Sequence, residues 1–221
     1  MNLALTPDQV LRRICAKRLL PAVGVYQPQA AVNVARALLA RGLDVMEITF
    51  RKPGAAECIT AIRSAEPAML VGAGTLLTPT QLESAVRAGA QFGVTPGFNP
   101  NIVTAARECG LPLFPGIATP GELEQALALG IAAAKVFPAE QLGGAPYLQA
   151  LNGPYVHTGI KLIPMGGVTP ANATAYCCVP IVGAVGGSWL VTEKHLATAD
   201  WAAITGLTAQ ALALTAQAKS N

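Results

Sequence analysis

A twelve-residue pattern occurs twice, 41 positions apart, and limits the folds open to this chain more than any other feature. TPTQLESAVRAG (78–89) and TPGELEQALALG (119–130) each open on Thr-Pro, carry Leu and Glu at matching places, and close on glycine. Threonine then proline suits an N-cap and the first helical position, and the final glycine suits the left-handed residue that ends a helix. Each segment runs into an apolar stretch that stops at a proline, AQFGVTP and IAAAKVFP. One helix–strand unit is therefore used twice.

Looser copies flank these two. AVNVARALLARG leads into LDVMEITF, and NIVTAARECG into LPLFPG. Apolar runs fall near 22–26, 43–50, 69–73, 90–95, 111–114, 131–137, 160–164 and 181–186, with helical patterns between them. A helical pattern over Thr6–Arg18 precedes the first run, and another spans about Thr198 to Ala218. Eight strands alternating with helices predict an α/β fold, a closed parallel (β/α)8 barrel with an extra N-terminal helix, as a single domain over residues 1–221. The competing doubly wound open sheet lacks its GxGxxG turn after the first strand. The strand-to-helix turns are rich in Gly, Pro, Thr and Ser (VGAGT, TPGFNP, FPGIATP, FPAE, PMGGVTP, VGGSW), and a barrel carries its chemistry at that end.

Only 12% of residues are charged against 52% hydrophobic, which implies a large buried fraction and room for a buried oligomer face. The net charge of +3 is spread out, and no basic run or aromatic platform suggests nucleic acid as a partner. The N-terminal stretch carries Asp8, Arg12, Arg13, Lys17 and Arg18 and does not read as a signal peptide. The charge-free run from Leu162 to Thr192 is interrupted by Pro164, Pro170, Asn172 and Pro180, so no membrane span is expected. Five cysteines without a CxxC pair, and two histidines in unrelated segments (His157, His195), suggest reduced thiols and no metal site.

The chemistry centres on Lys135, alone among apolar neighbours near the end of the sixth run. Alternation puts it on one face with Ala133 and Phe137. Stripped of water, its amine loses protonation and becomes a nucleophile that condenses with carbonyls. The other reading is a lysine at a strand end, snorkelling to solvent. In VMEITFR, Glu47, Thr49 and Arg51 share one face and Met46, Ile48 and Phe50 the other. Arg51 suits a carboxylate and Glu47 a proton-transfer role, unless the two form a purely structural ion pair with each other or with Lys135. MGGV (165–168) and VGGSW (185–189) end the seventh and eighth runs, where phosphate-binding barrels present backbone N–H groups.

Together VMEITFR, VGAGTLL, FGVTPGFNP, LFPGIATPGEL, AKVFPAE, PMGGVTPAN and VGGSWLV resemble the 2-keto-3-deoxy-6-phosphogluconate (KDPG) and 4-hydroxy-2-oxoglutarate (KHG) aldolases, in order from about Pro21 to Thr192. The resemblance implies a cytoplasmic homotrimer of (β/α)8 barrels that needs no cofactor or metal. It implies Lys135 as the Schiff-base lysine and Glu47 as the proton shuttle. Arg51 and Thr75 would hold the pyruvate carboxylate, and Pro96 and Phe137 would wall the pocket. Gly166, Gly167, Gly187 and Ser188 would bind the phosphate of a keto sugar acid. One departure stands out: Met165 occupies a place where phosphogluconate-specific members carry threonine and galactonate-specific ones an apolar residue. The alternatives are therefore an aldolase for the galactonate epimer, a phosphate-binding barrel isomerase using Glu47 as base, or a non-catalytic barrel that binds a sugar phosphate.

Overall fold

The computed structural model describes residues 5–217. Among them are nine strands, all paired in parallel: β1 (Leu19–Val23), β2 (Val45–Thr49), β3 (Leu70–Gly74), β4 (Gly93–Val94), β5 (Leu113–Phe114), β6 (Gly116–Ile117), β7 (Ala133–Val136), β8 (Lys161–Pro164) and β9 (Val185–Gly187). They form a six-stranded sheet in the order β5-β4-β3-β2-β1-β9 and a three-stranded sheet β6-β7-β8. Helices alternate with the strands, and the strands curl as a half-barrel. The apolar core spreads over strands and helices alike, and β2 is buried along its whole length. Burial of both faces is what a parallel strand covered by crossover helices requires.

The repeated unit folds as its sequence predicts. Thr78 caps the helix Pro79–Arg87 by accepting from the Gln81 N–H, and Thr119 caps Pro120–Ala128 through a full capping box with Glu122. Gly89 and Gly130 end these units with φ of +88° and +66°, conformations that a side chain resists.

Two differences from the sequence reading have local causes. The first strand begins at Leu19 rather than near residue 22, because the helix Pro7–Lys17 ends on Arg18 in the left-handed region (φ 56°) and turns straight into the strand. Pro21, which lacks an N–H, lies where β1 passes from pairing with β9 to pairing with β2. The fifth run is two short strands split at Pro115. The Gly116 N–H donates to the Thr95 side chain at 3.0 Å instead of to β4, while the Pro115 carbonyl accepts from the Lys135 N–H at 2.8 Å. Residues 113–117 thus pair with β4 by their first half and with β7 by their second. Further on, Leu162 of β8 donates to Ile181 O and accepts from the Gly183 N–H, both at 2.9 Å, just before β9.

The helix Pro7–Lys17 lies across the amino ends of the strands. Its Val10 and Ile14 are buried, and Arg13 bonds Asp44, which precedes β2, at 2.8 Å, and Ala68 O before β3. The last helix, Trp201–Gln217, packs on Pro28–Leu39 and Ala173–Cys177; Ala218, the last residue expected to be helical, lies outside the described residues. Among the described residues no helix is long and apolar enough to cross a membrane, no group of three or more His, Cys, Asp or Glu clusters as metal ligands would, and the five cysteines are free thiols.

Removing the cap of the repeated unit tests this reading of its local structure. Thr119→Ala is expected to lower stability by about 1 kcal/mol in urea denaturation; an unchanged midpoint would show that the cap contributes nothing.

Candidate active site

Lys135 sits in the middle of the three-stranded sheet, opposite Gly116 on one side and Ile163 on the other. Both residues are fixed by ladder bonds, so the side chain leaves a rigid base. It is 5% exposed, and its Nζ lies 4.9 Å from the centre of the Phe137 ring. Lys135 and Phe137 therefore share a face, as alternation requires. Burial holds the amine below its ordinary value of 10.5; the Glu47 charge pulls it partly back up, and the Arg51 charge pushes it further down.

Glu47 is 1% exposed, and its Oε2 has no hydrogen-bond partner. The carboxyl fits because β3 offers no side chain at Gly74: a Cβ there would stand 2.7 Å from Glu47 Oε1. Burial raises the carboxyl above its ordinary value of 4.5, and the charges of Lys135 and Arg51 only partly offset that. The two groups feel each other's charge without closing into a salt bridge. A buried acid with an unpartnered oxygen beside a desolvated amine can take up and return a proton.

A cavity of about 430 Å³ opens at the carboxyl ends of the strands, with Lys135, Phe137 and Thr49 on its wall. Thr49 is buried, and its hydroxyl lies 3.2 Å from Tyr26 Oη and 3.4 Å from Val23 O. Arg51 and Lys52 follow β2 at the mouth, and Lys52 Nζ stands 5.7 Å from the Tyr26 ring centre. The far side is built from the turns after β8 and β9: Met165, Gly166, Gly187 and Ser188, followed by Thr192 and Glu193.

Of the residues expected from the sequence, Lys135, Arg51, Phe137, Gly166, Gly187 and Ser188 line this cavity. Glu47 is buried beside them. Glu47, Thr75, Pro96 and Gly167 do not line it. Thr75 directly follows β3 in the left-handed region (φ 59°), a conformation uncommon for a β-branched residue. Pro96 is pressed against Gly116, where an added Cβ would overlap its carbonyl group at 2.2 Å. Gly167 is exposed and backs onto Glu140. Tyr26, Lys52, Thr192 and Glu193 line the cavity unforeseen. Lys52 was legible only as the residue after Arg51: β2 ends at Thr49, and beyond it alternation no longer says which way a side chain points.

Parallel strands, a cavity at their carboxyl ends and a desolvated lysine with an acid beside it are the parts of an amine-dependent enzyme that captures a carbonyl as a Schiff base. The family is particular. A family model described as "Aldolase: KDPG and KHG aldolase" matches residues 10–207, and the chain belongs to that family. It is 43% identical over 208 residues to the 2-dehydro-3-deoxy-phosphogluconate aldolase of Treponema pallidum (strain Nichols), covering 94% of this chain and 97% of that one. It is 41% identical to the KHG/KDPG aldolase of Escherichia coli (strain K12), covering 87% and 89%. Among solved structures, KDPG aldolase from Legionella pneumophila, with pyruvate captured at low pH as a covalent carbinolamine intermediate, superposes with a TM-score of 0.86 at 35% identity, covering 93% of this chain and 97% of that one.

The burial of Glu47 has a pH signature. Between 4.5 and its raised folded value, the native state keeps a proton that the unfolded chain has lost, so stability falls as pH rises through that window. Each pH unit of the window is worth about 1.4 kcal/mol. Urea denaturation from pH 4 to 8 is therefore expected to show Glu47→Gln gaining on the parent as pH rises; a parent that gains instead would mean that ion pairing outweighs burial.

Proposed function

We propose that the chain is a class I aldolase that cleaves 2-dehydro-3-deoxy-6-phosphogluconate to pyruvate and D-glyceraldehyde 3-phosphate through a Schiff base on Lys135. The observation that carries this reading is the desolvated Lys135 amine held against the cavity with the buried Glu47 carboxyl close enough to influence its protonation. The free amine adds to the C2 ketone, and the carbinolamine loses water to give an iminium. Glu47, as carboxylate, takes the C4 hydroxyl proton through a water. The C3–C4 electron pair then flows into the iminium, leaving a pyruvate enamine and the free aldehyde. Glu47 returns its proton to C3, and water releases pyruvate from the lysine.

In this reading Arg51 grips the carboxylate of the keto acid with paired hydrogen bonds, and Thr75 assists it. Pro96 and Phe137 confine the reacting carbons. Gly166, Gly167, Gly187 and Ser188 receive the phosphate on backbone N–H groups and a hydroxyl. Thr75, Pro96 and Gly167 would act from outside the cavity wall, so their parts are the most exposed to test. The cavity also has room for 4-hydroxy-2-oxoglutarate, giving pyruvate and glyoxylate. Met165 favours a second reading, cleavage of the galactonate epimer: its buried thioether lines the cavity and offers a sugar hydroxyl no donor.

The proposal extends to architecture. Two junctions support a closed (β/α)8 barrel: the segment 113–117 shared by both sheets, and the bonds of Leu162 to residues 181 and 183 ahead of β9. The low charged fraction supports a buried oligomer face, which the family resemblance makes a homotrimer's, and the five free cysteines support a cytoplasmic setting.

Incubation with pyruvate and borohydride, read by mass spectrometry, is expected to give one covalent adduct on Lys135, with turnover unchanged after dialysis against EDTA. Lys135→Ala is expected to lose both adduct and cleavage, and Glu47→Gln to lower kcat about 10²–10⁴-fold. An isomerase or a binding module gives no adduct, and that outcome would overturn the proposal.

A further inference from the structure

The chain leaving β7, Phe137 to Glu140, is laced to the turn leaving β8. The Ala139 N–H donates to Met165 O at 2.7 Å and the Glu140 N–H to Gly166 O at 3.0 Å. The Glu140 side chain extends the lacing. Its Oε2 accepts from the buried Tyr176 hydroxyl at 2.7 Å and from Asn172 Nδ2 at 3.0 Å. Asn172 closes the loop: its Nδ2 also donates to Gly167 O at 3.0 Å, and its Oδ1 accepts from the Thr169 N–H at 2.7 Å. A Cβ on Gly167 would lie 2.4 Å from Glu140 Cβ, so the side chain packs directly on the turn.

The orientation of the turn follows. In a trans peptide the N–H points opposite to the preceding C=O. With the carbonyls of Met165 and Gly166 directed at Ala139 and Glu140, the N–H groups of Gly166 and Gly167 face away from that segment. Both glycines are left-handed, with φ of +87° and +84°, and successive N–H groups in such turns make a concavity for anions. Without the lacing the two glycines are the most conformationally free residues available, and a wandering turn binds an anion poorly.

We infer that Glu140, whose backbone N–H holds Gly166 O and whose carboxylate holds Asn172 against Gly167 O, is a positioning residue that steadies the Gly166–Gly167 turn against the phosphate of the substrate without touching it. The inference rests on the phosphate reading given under Proposed function. Glu140 sets affinity for the phosphorylated half of the substrate, whereas the pyruvate half, handled by Lys135 and Glu47, does not depend on it.

The test compares the parent with Glu140→Ala, Asn172→Ala and Glu140→Gln in three assays: cleavage of the phosphorylated six-carbon substrate, cleavage of unphosphorylated 4-hydroxy-2-oxoglutarate, and solvent exchange of the pyruvate methyl protons by NMR. The alanine variants are expected to raise KM for the phosphorylated substrate about tenfold or more, as loss of a charge-assisted bond would. Their kcat, the KM for 4-hydroxy-2-oxoglutarate and the pyruvate exchange rate are expected to stay within about threefold, and glutamine, which keeps the acceptor oxygen, to restore KM to within about threefold of the parent. An equal loss in all three assays makes Glu140 merely structural, and an unchanged KM makes the lacing irrelevant; either overturns the inference. Should Glu140→Ala fail to fold, Tyr176→Phe removes one bond to the same oxygen without changing shape and is held to the same selectivity. Inorganic phosphate separates the two levels: a parent that it does not inhibit competitively defeats the phosphate reading itself, whereas inhibition that survives unchanged in the variants defeats only the role of Glu140.

Discussion

Holding an ammonium group out of water inside a parallel sheet is the constraint on which the rest of this structure depends. A lysine so placed either finds a tight counter-ion or gives up part of its charge. Here the carboxyl of Glu47 shares its field but not its hydrogen bonds, and it is itself too well buried to ionise easily. Each group moderates the other, and Arg51 biases both toward the forms that the proposed chemistry needs: an amine free to add to a ketone and a carboxyl ready to exchange a proton. Space for the arrangement comes from an omission, the missing side chain of Gly74.

The division of labour between ladder and loop follows. Lys135 and Glu47 stand on hydrogen-bonded strands, where a displaced atom costs several bonds at once. The groups proposed to select the substrate stand on turns at the carboxyl ends. Those turns are steadied by side chains: Thr95 accepts from the Gly116 N–H and donates to Gly97 O at 2.7 Å, and Glu140 and Asn172 lace the Gly166–Gly167 turn. A rigid floor with separately tied turns lets the reacting end and the recognising end vary independently.

How much of this was legible in the sequence depended on whether the signal was periodic. Repeated Thr-Pro openings and closing glycines gave two helices to within a residue of their ends. Period-two alternation paired Glu47 with Thr49 and Lys135 with Phe137, and it worked because both stretches lie on or against regular strands. It failed where regularity stops. The start of β1 was read late because Pro21 interrupts the run. The split at Pro115 needed the Thr95 hydroxyl, a contact between residues 21 positions apart. Tyr26 and Lys52 sit on loops whose direction no pattern encodes. Thr75 and Pro96, which only the resemblance supplied, do not line the cavity, and neither do Glu47 and Gly167, which VMEITFR and MGGV offered. Glu140, in the FPAE stretch, owes its place to Tyr176 and Asn172, partners that no spacing in the sequence puts beside it.

The most direct measurement is the titration of the Lys135 side chain itself, by NMR of ¹³C-labelled lysine in the parent and in Glu47→Gln. The account requires a midpoint below 10.5 in the parent and lower still once the acid is neutralised, because the carboxylate charge is what raises it. A midpoint at or above 10.5 would mean that the amine is not dry, and one indifferent to residue 47 that it is not coupled to its neighbour.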